Sequence, residues 1–152
     1  MNATDTPLDR VDVAARLRLT ATRLARLLRQ QSDSGLSPTL TAALATIGRH
    51  GPLTLGALAE MEQVSPPTTT KVVDKLATAG LVARTTDPAD RRVTHVDLTD
   101  HGRATLAEIR ARKDAWLATR LADLSPADVD RLAAALPVLE ALAGVAGPAE
   151  VR

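Results

Sequence analysis

The stretch that decides the fold is LGALAEMEQVSPPTTTKVVDKLATAGLVARTTDPADRRVTHVDLTDHG, residues Leu55 to Gly102. Its first part, Leu55 to Glu62, has the apolar spacing of a short helix. The following Ser65-Pro66-Pro67 predicts a second helix, because Ser is a favoured N-cap and Pro is favoured at the first helical position. Two helices joined by so short a turn are typical of a helix-turn-helix.

After Gly80 the hydrophobic pattern changes from the period of a helix to that of a strand. Residues 81–86 are β-prone, residues 87–90 are typical of a turn, and residues 93–98 alternate in polarity. This pattern predicts a two-stranded hairpin with charged residues at its tip. An isolated hairpin is marginal in water, so it must pack on the neighbouring helices. A hairpin that directly follows a helix-turn-helix predicts a winged helix.

Amphipathic helices are predicted on both sides of this segment, so the expected fold class is mainly α with a small β-hairpin wing. We predict a single domain over residues 1–152, with a winged helix-turn-helix lobe at 37–98. Residues 9–32 and 103–143 are expected to form dimerisation helices. Their apolar stripes offer more surface than one small winged domain can cover, and such an excess requires a partner surface.

The composition excludes several classes of protein. The chain has no Cys, which excludes disulfides and thiolate metal sites. It has no apolar run of membrane-spanning length, and residues 1–10 are polar, so we expect neither a membrane span nor a signal peptide but a cytoplasmic protein. The net charge of +1 says nothing by itself about a polyanionic partner.

No catalytic or metal-binding pattern is present. The three histidines, His50, His95 and His101, do not have the spacing of metal ligands. The sequence also lacks a nucleophile elbow, a Walker loop and a dinucleotide fingerprint. We therefore predict that the protein is not an enzyme and that it uses no metal and no cofactor.

The second helix of the helix-turn-helix has one apolar and one polar face. Winding it at about 100° per residue places Thr69, Val72, Val73 and Leu76 on the core face. The N-terminal residues of a recognition helix lie nearest the base edges, where Lys can donate to guanine or phosphate and Thr methyl groups suit thymine. The polar face carries the candidate DNA contacts Pro67, Thr68, Thr70, Lys71 and Lys75.

The hairpin tip adds a second candidate DNA contact. Asp90-Arg91-Arg92 places two adjacent guanidinium groups at a turn, where a projecting Arg can enter a narrow minor groove. Arg84 on the first strand is a candidate phosphate contact. Residues 65–98 contain five basic and four acidic residues, so they do not form a strongly basic patch. The alternative interpretation is that the charged tip is an ordinary solvated turn. A winged-helix protein-interaction or oligomerisation module without DNA binding is the alternative function; only a DNA binder would lose affinity steeply with salt.

The same stretch resembles the core signature of MarR-type (multiple antibiotic resistance regulator) transcription factors, most specifically in DPADRRV followed by VDLTDHG. The predicted helices match that family in number and order over nearly the whole chain. The resemblance implies a homodimeric, sequence-specific transcriptional regulator, which we predict to be a repressor on a pseudo-palindromic double-stranded DNA site. By position, it implies DNA contacts by Ser65, Pro67, Thr68, Thr70 and Lys71, and a minor-groove contact by Arg92 that Asp90 orients and Arg91 assists.

The sequence departs from the family pattern at two positions. Lys71 stands where Arg is frequent, and Thr69 stands where an aliphatic residue is usual. The resemblance also implies control by a small aromatic or phenolic effector that binds between the dimerisation helices and the DNA-binding lobe. Arg16, Arg23 and Trp116 are the candidate effector contacts, with solvated arginines and a core tryptophan as the alternative.

Overall fold

The computed structural model describes residues 9–31 and 34–144. Position 32 of the predicted first helix, and the parts of the predicted domain before residue 9 and after residue 144, lie outside them. The described elements, in chain order, are α1 (Arg10–Gln30), α2 (Pro38–His50), β1 (Leu53–Thr54), α3 (Leu55–Glu62), α4 (Pro66–Thr78), β2 (Val82–Thr86), β3 (Thr94–Leu98), α5 (Asp100–Ala122) and α6 (Pro126–Leu142).

The helices begin where side chains satisfy their first backbone N–H groups. Each helix follows an Asp, Ser or Thr whose side-chain oxygen accepts a backbone N–H of the first turn at 3.0–3.4 Å. Just after the end of α4, Gly80 has a φ of 73°, a left-handed conformation that is common at helix C-termini and favours glycine. The predicted cap at Ser65 is confirmed, and Ser37, Thr54, Thr99 and Ser125, all of residue types favoured at N-caps, hold the same position in their helices.

The sheet contains a strand that the sequence did not predict. Its order is β1-β3-β2, with both pairs antiparallel; Leu53 pairs with Val96, and Val82 pairs with Leu98. The predicted two-stranded hairpin is confirmed as β2 and β3, and β1 is an additional strand on the other side of β3. Two residues are too few to show an alternating pattern, and Thr54 also caps α3. Strand β1 can therefore be recognised only from its pairing with β3. The two predicted strands begin one residue later than expected.

The core lies between α2, α3, α4, the sheet and the first half of α5. In α4, Thr69, Val73 and Leu76 are buried and Val72 is half-buried, which confirms the predicted core face. Leu106 and Ile109 of α5 are also buried within the chain. This part of the apolar stripe of α5 therefore packs against the protomer's own core and does not need a second subunit to bury it. The fully buried large side chains are Leu44, Ile47, Leu58, Val73, Leu76, Val96 and Ile109.

The described residues divide into two compact units at Asp114 and Ala115, within α5. The first unit contains α1 to α4, the sheet and the first part of α5. The second contains the rest of α5 and α6, and in it the Arg120 guanidinium lies 3.9 Å from the centroid of the Trp116 ring. Neither α1 nor α6 buries a residue.

A close backbone approach fixes the start of α5. The carbonyl oxygen of Leu81 accepts the backbone N–H of Thr99 at 3.1 Å. Gly102 lies against the same carbonyl, and a Cβ atom at this position would be 1.9 Å from that oxygen. The helix can therefore begin here only because residue 102 has no side chain.

Candidate DNA-binding interface

Helix α4 presents its polar face to solvent. Pro67, Thr68, Thr70, Lys71 and Lys75 are all exposed, as is the cap residue Ser65. Ser65 Oγ accepts the backbone N–H of Thr68 and lies 2.9 Å from its hydroxyl oxygen. The hydroxyl of Thr70 donates to the Pro66 carbonyl at 3.1 Å, which leaves its methyl group for an apolar contact. The first turn is thus ordered from within the helix.

Thr69 is accommodated although an aliphatic residue is usual at its position in the resembling family. Its side chain is 2% exposed, and its hydroxyl donates to the Ser65 carbonyl at 3.3 Å. A buried hydroxyl is tolerated when it has a hydrogen-bond partner, and an acceptor four residues earlier is a common one. The substitution therefore leaves α4 seated on the core.

An ion pair joins the recognition helix to the wing. Arg84 of β2 donates through Nη2 to Asp74 Oδ1 of α4 at 2.6 Å. The pair neutralises a carboxylate that otherwise stands unpaired on the exposed face of α4. The structure places Arg84 on this carboxylate, and contact between Arg84 and a phosphate stays a prediction.

At the wing tip, Asp90 holds Arg92. The Oδ1 atom of Asp90 accepts both the backbone N–H of Arg92 at 3.0 Å and its side-chain Nε–H at 3.2 Å. The Arg92 side chain is 91% exposed, and Arg91 beside it is also exposed. The protein therefore fixes one end of the Arg92 guanidinium and leaves the other end directed into solvent.

At the base of the wing, Asp87 organises the turn. Its Oδ1 accepts the backbone N–H of Ala89 at 2.7 Å and that of Asp90 at 3.4 Å, and its Oδ2 lies 3.2 Å from His95 Nε2. The hydrogen bond from Ala89, followed by that from His95, lowers the pKa of Asp87. These contacts stabilise the wing at every pH above the ordinary aspartate pKa, and the contribution is lost only as the pH falls below it.

Lys71 and Lys75 border a surface depression of about 250 Å³ between α4 and the start of α2. The two lysines lie one helical turn apart, and Ser37 and Thr39 form the facing wall. The first turn of α2 carries no acidic residue. The depression therefore adds a basic flank beside the polar face of α4.

A different pocket, of about 290 Å³, lies in the first unit. Arg29 of α1 and Lys113 of α5 supply its positive charge. The hydroxyl oxygen of Thr41 in its wall is buried without a hydrogen-bond partner among the described residues. The remaining lining is Leu36, Pro38, Ala42 and Ala45.

The structure does not place the predicted effector residues in this pocket. Arg16 and Arg23 are exposed on α1, and Trp116 is half-buried beside Arg120. Arg29 and Lys113, which line the pocket, are not among the residues predicted from the sequence. The available signal was Lys113, a cation that interrupts the apolar stripe of α5.

An exposed helix after a turn, a wing with an outward arginine and a short third strand together form a winged helix-turn-helix. The model of the MarR family matches residues 36–94. An HTH-type transcriptional regulator of Mycobacterium bovis is 37% identical over 131 residues, covering 86% of this chain and 92% of the relative. The chain belongs to the MarR family.

Two further proteins extend the MarR comparison. The HTH-type transcriptional repressor MdtR of Bacillus subtilis is 33% identical over 99 residues, 65% of this chain and 64% of MdtR. The crystal structure of RV1404 from Mycobacterium tuberculosis is similar with a TM-score of 0.79 and 28% identity, covering 91% of this chain and 97% of RV1404. MarR proteins are transcriptional regulators and not enzymes, so this protein is a MarR-family regulator with a DNA-binding fold.

The described residues of this MarR protein offer neither a membrane-spanning helix nor a cluster of metal ligands. None of their helices combines the length and the apolarity needed to cross a membrane. Among the same residues, no group of three or more His, Asp or Glu side chains is arranged to hold a metal ion.

Proposed function

We propose that this protein is a homodimeric repressor that binds a pseudo-palindromic DNA site and is released from it by a small aromatic or phenolic anion. The observation that carries the proposal is the combination of an exposed polar face on α4 with an Arg92 that Asp90 directs into solvent. The first suits the major groove and the second suits the minor groove.

The residues on α4 have separate roles in this proposal. Thr68, Thr70 and Lys71 lie in the first turns of the helix, where a recognition helix approaches base edges. Lys71 donates to a guanine or a phosphate as a single cation, without the bidentate geometry of Arg. Lys75 faces the depression beside α2 and binds phosphate.

The proposed dimer interface consists of α1 and α6, against which a second copy of the chain packs. Large apolar side chains remain exposed on both helices, among them Val13, Leu17, Leu136 and Leu142. Their charges are complementary, because α1 carries six Arg and one Asp, whereas α6 carries three acidic residues and one Arg. A two-fold dimer presents two copies of α4 about one helical turn of DNA apart, ~34–36 Å, which fits a pseudo-palindromic site.

The relative MdtR supports repression over activation. Its name describes a transcriptional repressor, and it is 33% identical to this chain. The matched region covers 65% of this chain. We extend repression to this protein on that similarity.

The pocket beside Arg29 and Lys113 is the proposed effector site. An anionic group pairs with these cations, the Thr41 hydroxyl gains the partner that it lacks, and an aromatic ring packs on the apolar wall. The walls come from α1 and α5, predicted to form the dimer, and from α2 of the DNA-binding lobe. A ligand that binds better to one arrangement of these helices shifts the population away from the DNA-binding form. Direct contacts by Arg16, Arg23 and Trp116 stay a prediction.

Replacing Arg92 by Ala is expected to weaken specific DNA binding by about 1–3 kcal/mol, because the wing loses its minor-groove contact. The measurement is a salt-titrated mobility shift on a duplex that the wild-type protein selects from a random-sequence pool. Arg103→Ala is the matched control, because Arg103 also pairs with a nearby aspartate and is exposed, but lies on α5. Equal affinities for all three proteins would remove the wing from the mechanism. Salt-independent behaviour of the wild type would favour a protein-interaction module.

Lys113→Ala is expected to lower the affinity for an aromatic carboxylate, with benzoate as the probe, by about tenfold, because a charge-assisted contact is lost. The readout is the benzoate concentration that halves DNA binding. Arg23→Ala and Trp116→Ala serve as comparison variants. If they abolish the response while Lys113→Ala retains it, the effector site is the one predicted from the sequence and not this pocket.

A further inference from the structure

A chain of hydrogen bonds leads from the middle strand of the sheet to the exposed arginine at the wing tip. His95 lies in β3, which is bonded to a strand on each side. Its Nε2 lies 3.2 Å from Asp87 Oδ2, and because an ionised carboxylate only accepts, Nε2 is the donor. The other carboxylate oxygen of Asp87 accepts the backbone N–H groups of Ala89 and Asp90.

The chain continues through the next aspartate. Asp90, whose backbone is held by Asp87, accepts the backbone N–H and the Nε–H of Arg92 on a single oxygen. None of the described hydrogen bonds uses the terminal nitrogens of Arg92, which remain available to a ligand. The direction of the guanidinium therefore depends on contacts that begin at the sheet.

We infer that His95 and Asp87 are positioning residues that hold Arg92 in its DNA-binding orientation. The inference rests on the proposed function, because Arg92 needs a fixed direction only if the wing enters a groove of DNA. Preorganising a long side chain before binding reduces the entropy that binding must remove, so its loss appears as weaker affinity.

The surroundings of His95 show that packing alone does not favour a histidine there. Its Nδ1 atom is buried without a hydrogen-bond partner among the described residues, which is unfavourable for folding. A β-branched residue would fill a strand position without that penalty. The favourable polar contact that histidine brings is the one with Asp87.

The test is a double-mutant cycle on the duplex selected by the wild-type protein. His95→Val keeps a strand former and removes the donor, and we expect it to lower DNA affinity by about two- to tenfold, the effect of one net hydrogen bond. On an Arg92→Ala background, the same change should have no further effect, because both act through one guanidinium. His95→Gln, which restores a side-chain N–H donor, should recover part of the affinity.

Either of two outcomes overturns the inference. The first is that His95→Val binds DNA as tightly as the wild type, and the second is that the loss of affinity caused by His95→Val adds fully to the loss caused by Arg92→Ala. A readout without DNA covers a variant that is too unstable for binding work. The Nε–H proton signal of Arg92 should exchange slowly in the wild type and rapidly in Asp87→Ala and His95→Val. Unchanged exchange in both variants would also contradict the relay. If the wild type selects no duplex, the proposed function fails, whereas this exchange measurement still decides whether the relay exists.

Discussion

Leu136→Asp is expected to convert the protein from a dimer to a monomer and to lower its affinity for a two-half-site duplex by about a hundredfold or more. Leu136 is 48% exposed on α6, a helix that buries no residue within the protomer. A carboxylate at this position would be buried without a partner in the proposed interface, which is strongly unfavourable. A monomer also loses the gain that comes from engaging two half-sites at once.

Sedimentation at micromolar concentration measures the first effect, and a mobility shift measures the second. Ala134→Asp is the matched control, because Ala134 is exposed on the same helix and lies about half a turn around it from Leu136. It introduces the same charge and a similar, slightly larger, loss of helix propensity. A wild-type protein that sediments as a compact monomer, or a Leu136→Asp protein that remains dimeric, would refute the proposed interface.

Gly102→Ala is expected to destabilise the folded protein by about 3 kcal/mol, at the upper end of the usual penalty for overpacking. The new Cβ would lie 1.9 Å from the backbone oxygen of Leu81, and a backbone atom cannot move aside as a flexible side chain can. The same oxygen accepts the N–H of Thr99, so a shift would also disturb the start of α5. The sign is informative, because Ala in place of Gly within a helix ordinarily stabilises it by about 1 kcal/mol.

Urea unfolding measures this difference, provided that the dependence on denaturant is unchanged between variants. Gly56→Ala in α3 is the matched control. A Cβ at position 56 meets only the Thr54 hydroxyl oxygen, at 4.0 Å, so we expect this variant to be as stable as the wild type or more so. Equal stabilisation by both substitutions would show that α5 can move away from Leu81.

Much of the candidate DNA interface could be predicted before the structure was known. The exposed face of α4 follows from the spacing of Val73 and Leu76, because residues three and four apart share a helix face. The wing arginines follow from a charged turn between two β-prone segments. Arg84 could not be placed in this way, since its ion pair with Asp74 depends on how β2 lies against α4.

The proposed effector pocket shows the limit of the same reasoning. Arg16 and Arg23 lie on the first helix, but the position of a side chain along a helix does not reveal which cavity it borders. Arg29 and Lys113 line the pocket together although more than eighty residues separate them in the chain. Only the packing of α1, α2 and α5 brings them near each other.

The sequence by itself determined the order of the helices, their caps, the core face of α4 and the family, because these depend on residues within a few positions of one another. The tertiary structure decided the pairing of Leu53 with Val96, the contact between Asp87 and His95, and the requirement for glycine at position 102. Each of these joins separate segments. Their proximity is fixed by the burial of one shared core, which no local pattern specifies.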